Sequence, residues 1–242
     1  MEIRGNRECA DCGTRWSYYE TGEIACPNCG GLRSVGRDEE RRLHTDGSAT
    51  LDLSPVKEAL ADRPLVETVE DVRERCREYR RQRGFVRGGD LLDLDETYLV
   101  ASELLLVVGE YERSLSSGTL DAATDDEEQL YVLSLLELDR PPADRVPPSF
   151  ESTRALAYAR AVGEYRSDLL EWLDASDGEY PAVRTALGRL EDHLRRVEAL
   201  DGSVEPATAE RLVVIAREIG RYLREDDELA LVRAQDRLDS LR

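Results

Sequence analysis

A mainly α fold with a small β module at its N-terminus is what this 242-residue sequence predicts. Two observations carry that expectation. From Leu51 onward, apolar residues recur in alternating steps of four and three, the period of one helix face, and Gly and Pro clusters cut the pattern into separate helices. Before Leu51 that period is missing. There, four of the five cysteines stand in two Cys-x-x-Cys pairs with strand-forming residues between them.

The pairs are Cys9/Cys12 and Cys26/Cys29. A two-residue gap lets both thiolates of a pair bend toward one ion within a single tight turn, and four sulfurs arranged tetrahedrally favour zinc. A rubredoxin-like iron site would use the same ligands. Gly13 and Gly30 each follow a pair, where such a turn calls for positive φ. With all four positions taken by protein, one structural Zn²⁺ is expected, with none left for water or substrate. Disulfides fit less well: Met-Glu-Ile-Arg-Gly-Asn-Arg lacks a signal peptide's apolar core, so a reducing, cytoplasmic setting is expected.

Residues 1–45 are therefore expected to form a zinc ribbon. Trp16, Tyr18, Tyr19 and Ile24 favour strands, and Thr21-Gly22 reads as the turn of a hairpin joining the two knuckles. Large aromatics usually pack, which makes Trp16, Tyr18 and Tyr19 walls of a metal-centred core; they are also the candidate partner-binding surface. The charged stretch from Leu32 to Thr50 reads as a third strand followed by a linker, with His44 a solvated linker residue.

Residues 51–242 are expected to form an acidic, antiparallel multi-helix bundle. Ser54-Pro55 opens a short helix, since Pro suits the first helical position. Leu65, Val69, Val72, Cys76 and Tyr79 form the seam of the next, which makes Cys76 a buried hydrophobe rather than a nucleophile. Tyr98 to Leu115 is apolar nearly all round, so other helices should surround it, with Glu103 and Glu110 on its exposed strip. Thr124 to Glu127 reads as a capping box before Leu130 to Leu138. Four prolines between residues 140 and 148 make a stiff connector where the helical region could be subdivided. Four further helices follow: 150–173, 183–197 (Val183, Leu187, Leu190, Leu194, Val197), 212–223, and one from Asp226 with Leu229, Val232 and Leu238 inward.

The net charge is −19, and Lys57 is the sole lysine against 32 arginines. Acid excess with almost no lysine matches the halophile device of high surface charge. In about 1 M salt the Debye length is only about 3 Å, so this charge neither forbids nor favours nucleic acid at range. Residues 1–45 carry seven Arg and eight Asp or Glu, net −1, leaving −18 on the remainder. Four thiolates around one Zn²⁺ add −2, so the ribbon stays mildly acidic and a protein partner is favoured over bare DNA. The run from Tyr98 to Val108 is too short to span a bilayer. No phosphate loop, Gly-x-Ser-x-Gly or His-Glu-x-x-His is present, no Glu-x-x-His accompanies the acidic helices, and His193 sits on a charged face.

The N-terminal module resembles the transcription factor IIB-type zinc ribbon through Cys9-x-x-Cys12-Gly13, Trp16 and Cys26-Pro27-x-Cys29-Gly30. The whole chain, with Arg-Glu-Cys, Trp-Ser-Tyr-Tyr-Glu and an acidic helical remainder, is similar to a haloarchaeal family of uncharacterised ribbon proteins. The ribbon resemblance implies metal binding and is compatible with transcription machinery as a partner. The helical part departs from that factor, lacking paired cyclin-like repeats and a basic DNA-facing composition. The expected function is thus a non-catalytic, zinc-binding interaction protein; the alternative is a helical oligomer in which zinc only folds the N-terminus.

Overall fold

The computed structural model describes residues 1–117 and 122–241, with the side chains of 117 and 122–125 also left aside. The chain is mainly α with a small N-terminal β region, as the pattern predicts. Strand β2 (Asn6–Cys9) pairs antiparallel with β3 (Arg15–Ser17) on one side and β4 (Ser34–Gly36) on the other, so that Arg7 faces Trp16 and Gly36. A second small ladder joins β1 (Glu2–Ile3) to β5 (Arg42–Leu43). The third strand is where it was expected.

The hairpin is not. After β3 the chain makes one helical turn, α1 (Tyr18–Thr21), which Gly22 ends in the left-handed region at φ 66°. Thr21-Gly22 therefore closes a helical turn, and the ribbon's hairpin is β2–β3, carrying the first knuckle at its tip. Trp16 keeps its strand, but the strand propensity of Tyr18 and Tyr19 lost to the local hydrogen bond from Gly22 N–H to the Tyr18 carbonyl, 2.9 Å.

Helices α2 (Ser54–Ala59) and α3 (Val69–Gln82) follow, the latter entered through a 3₁₀ turn, Leu65–Thr68. Next come α4 (Glu96–Ser117), α5 (Ala122–Leu136), α6 (Glu151–Ala175), α7 (Pro181–Ala199), α8 (Pro206–Glu225) and α9 (Glu228–Ser240). Helix α5 starts at Ala122, so the backbone of Thr124, expected as the cap, lies inside it; the Thr124 side chain is outside the described residues. Between α3 and α4, strands β6 (Val86–Arg87) and β7 (Asp90–Leu91) form a hairpin around Gly88 and Gly89, both at positive φ, as a two-residue turn of this hand requires. The sequence reading had only a helix break there.

The seams are buried as spaced: Leu65 in the 3₁₀ turn and Val69, Val72, Cys76 and Tyr79 on α3, and Val183, Leu187, Leu190, Leu194 and Val197 on α7. In α9 the inward row is Ala230, Leu231, Ala234 and Leu238, while Leu229 and Val232 face solvent; small alanines, not the larger side chains, fit against α8. Helix α4 packs between α3, α5 and α6, and α6 between α4, α7 and α8. One apolar core runs from Leu43 to Leu238 and crosses the proline connector, whose Val146 it includes. Phe85 sits edge-on to both Tyr98 and Tyr165, each 4.8 Å between ring centres. No helix among the described residues is long and apolar enough to cross a membrane.

Glu103 is a correction to the sequence reading. It is fully buried rather than on an exposed strip, and its carboxylate accepts from Tyr158 Oη at 2.6 Å and from Tyr131 Oη. Arg154 lies beside it and also bonds Tyr131, the Pro141 carbonyl and Glu210. Arg140, from the proline connector, joins Glu210 to Glu96, which Arg217 of α8 also holds. Burial pushes the Glu103 carboxyl up, against the pull of Arg154 and the two tyrosine donors. A carboxylate in the middle of a helix that is apolar all round has to be buried, and that signal was legible.

Candidate metal centre

The two knuckles are built alike. In the first, Gly13 N–H donates to the Cys9 carbonyl at 3.0 Å and Cys9 N–H to the Thr14 carbonyl at 2.8 Å. In the second, Gly30 N–H donates to the Cys26 carbonyl and Cys26 N–H to the Gly31 carbonyl, both 2.9 Å. Gly13 and Gly30 take φ of 73° and 70°, and a Cβ on either would meet nothing within 4 Å. Backbone conformation, not space, is what asks for glycine there. The knuckles are held together by Ala10 N–H donating to the Arg33 carbonyl and by an Asp11–Arg33 ion pair.

This geometry brings the sulfurs of Cys9, Cys12, Cys26 and Cys29 within 4.8 Å of one another. Cys9–Cys29 and Cys12–Cys26 Sγ pairs are each 3.6 Å apart. A Zn–S distance of about 2.3 Å places tetrahedral sulfurs about 3.8 Å apart, so two pairs already match such an ion and the others need shifts of at most about 1 Å. Cys9 and Cys26 are buried; Cys12 and Cys29 face out. Protons are held unevenly among them. The Thr14 hydroxyl and amide bring the Cys12 thiol down to about 6. At Cys29 the Gly31 amide pulls down but the three neighbouring thiols outweigh it, pushing the group up to about 12. Crowded thiols that cannot all ionise become a ligand set once a dication supplies the balancing charge.

The aromatics face inward. Trp16 is buried against Cys9 and Cys26 and donates its indole N–H to the Glu23 carbonyl at 2.9 Å. Tyr19 is buried too; it donates to the Ile3 carbonyl at 2.8 Å, and its ring lies so close to Gly88 that a Cβ there would come within 3.0 Å. Tyr18 is half-buried beneath the Arg7 guanidinium. As candidate partner-binding rings, Trp16 and Tyr19 offer no free face. They close the ribbon and seat it on the helices.

His44 is likewise not a solvated linker residue. It is buried between the rings of Tyr18 and Tyr19 and accepts the Gly88 N–H on Nδ1 at 3.3 Å, while its Nε2 has no partner among the described residues. Around it, Thr45 bonds Asp168 of α6 at 2.7 Å, and buried Asp46 pairs with Arg83 and Arg87. No sequence signal marked this junction, since its partners lie some 40 to 120 positions away.

A family model described as a family of unknown function (DUF7117) matches residues 1–238. The chain belongs to that family. The match covers the cysteine module and the helices together. No curated protein and no solved structure matches the chain.

Proposed function

We propose that this DUF7117 protein is a non-catalytic interaction protein whose N-terminal ribbon is folded by one structural Zn²⁺. The spacing of the four sulfurs carries the reading. Four protein thiolates leave the ion no exchangeable position, which is how structural zinc sites differ from catalytic ones. The buried carboxylate Glu103 is taken up by Tyr131, Tyr158 and Arg154 inside the helices, which supports a structural role for that cluster. Association with transcription machinery has only the ribbon resemblance behind it; a protein partner has in addition the mildly acidic balance of residues 1–45.

Elemental analysis of the purified chain tests the metal: one zinc per chain is expected, falling to none in Cys9→Ser/Cys26→Ser. Iron in its place, or an intact ribbon without metal, defeats the reading. A second reading, assembly through the helices, draws on Leu229 and Val232, three residues apart on α9 and 68% and 51% exposed. Light scattering that reports a monomer at all concentrations removes it.

A further inference from the structure

A groove of about 390 Å³ opens where the ribbon's two small sheets meet, with Arg4, Arg7 and Arg41 on its walls. Ile3, Val35 and Gly36 complete it, and Glu2 is its one acid. In a chain with 52 acidic and 33 basic residues, arginines find carboxylates easily. Within the ribbon Arg15, Arg33 and Arg37 do so, on Glu8 and Asp11. The groove's three do not, among the described residues. Arg4 reaches only the Glu39 carbonyl, at 3.3 Å. Arg7 donates to the Ser34 hydroxyl at 2.9 Å and lies over the Tyr18 ring, its Nε buried without an acceptor. Arg41 is exposed.

Three guanidinium forks left without carboxylates on one concave surface form an anion site, because each fork matches a carboxylate or phosphate with two parallel hydrogen bonds. Between them lies apolar surface: Val35 is 60% exposed and Ile3 half-buried. Gly36 lets the Arg4 stem lie across β4, since a Cβ there would come within 2.9 Å of Arg4 Cβ. Single-stranded nucleic acid asks for open aromatic faces on which bases stack, and here Trp16 and Tyr19 are buried and Tyr18 is covered by Arg7. Aliphatic floor plus arginine walls suits an extended peptide that alternates acidic and apolar side chains.

We propose that this groove binds an acidic peptide segment of a partner protein, with Arg4 and Arg41 gripping its carboxylates and Val35 its apolar side chains. The proposal rests on the interaction-protein reading and names the partner's chemistry. A fluorescein-labelled peptide of alternating Glu and Leu, titrated against the full chain at moderate salt, should bind and raise the anisotropy. Arg4→Gln/Arg41→Gln should weaken it about tenfold, which is about 1.4 kcal/mol, and Arg4→Lys/Arg41→Lys should recover part of the loss. Zinc content and circular dichroism, measured on the same samples, should not change. Loss of zinc would strike the metal reading and not this one. If a single-stranded oligonucleotide of equal length binds tighter than the peptide, or if the double glutamine variant binds the peptide like the parent, the proposal is overturned.

Discussion

The ribbon buries Cys9, Trp16 and Cys26 as its own cluster, whereas the helical body buries a continuous apolar core from Leu43 to Leu238. The contrast teaches where stability comes from in each. A strand module of this size cannot bury enough surface to offset chain entropy, so on the proposed reading its order depends on an ion held by the four sulfurs. The helices need no such centre, because seams spaced at the helix period bury themselves against one another. Between the two regions lies a junction rich in polar contacts: His44 on Gly88, Thr45 on Asp168, Asp46 on Arg83 and Arg87.

The sharpest way to break this comparison is Cys26→Ser or chelation. Structural zinc contributes on the order of 10–16 kcal/mol to such modules. Hydrogen exchange should show β2, β3 and β4 losing protection while α3 to α9 keep theirs, with the boundary falling before Leu43 because that residue belongs to the helical core. Global unfolding would mean that the regions are one cooperative unit.

Glu103→Leu probes the other side. It leaves two buried tyrosine hydroxyls and Arg154 short of an acceptor, and a loss of about 3–5 kcal/mol in urea denaturation is expected. Glu103→Gln, which still accepts, should lose about 1–3 kcal/mol. Neither change should alter zinc content. Equal losses in both would mean that charge, not hydrogen bonding, dominates.

Thiol labelling separates the two cysteine environments. Burial pushes the Cys76 thiol up to about 12, so it should stay unlabelled in the folded chain even after chelation, while Cys12 and Cys29, which face out, become reactive. Labelling of Cys76 at the rate of a free thiol would place the opening in the helices instead.

The smallest effect belongs to His44. Burial holds its imidazole below the ordinary 6.5, with Asp46 opposing and Arg87 and the N-terminal amine reinforcing. The unfolded chain then takes up its proton first as pH falls, so stability should drop below about pH 6.5, by up to about 1.4 kcal/mol per pH unit, until the folded form protonates too. His44→Gln should flatten that slope in pH-dependent thermal melts. A wild-type curve as flat as the variant's would show that the junction does not sense the proton.

The metal site was legible because its information is local. Two-residue spacings and a glycine after each pair determine the knuckle turns without help from the rest of the chain, and φ of 73° and 70° at Gly13 and Gly30 follow. The helices were legible for the same reason, since a period of 3.6 marks each buried face along its own length. What failed was nonlocal or outcompeted. Trp16 walls the cysteine cluster from a strand, as its type and place suggest, but Tyr19 has the propensity of a strand residue until Gly88 comes against its ring, and His44 looks solvated until Gly88 and two tyrosines enclose it.

Sequence by itself therefore determined the clustering of four cysteines, the presence of each helix and most buried seams, all consequences of contacts between near neighbours. Tertiary structure alone decided that Tyr19 meets Gly88, that the partners of Glu103 are Tyr131, Tyr158 and Arg154, and that Arg4, Arg7 and Arg41 share one groove. Those outcomes depend on residues brought together from distant positions, and no period or spacing in a single segment encodes such an encounter.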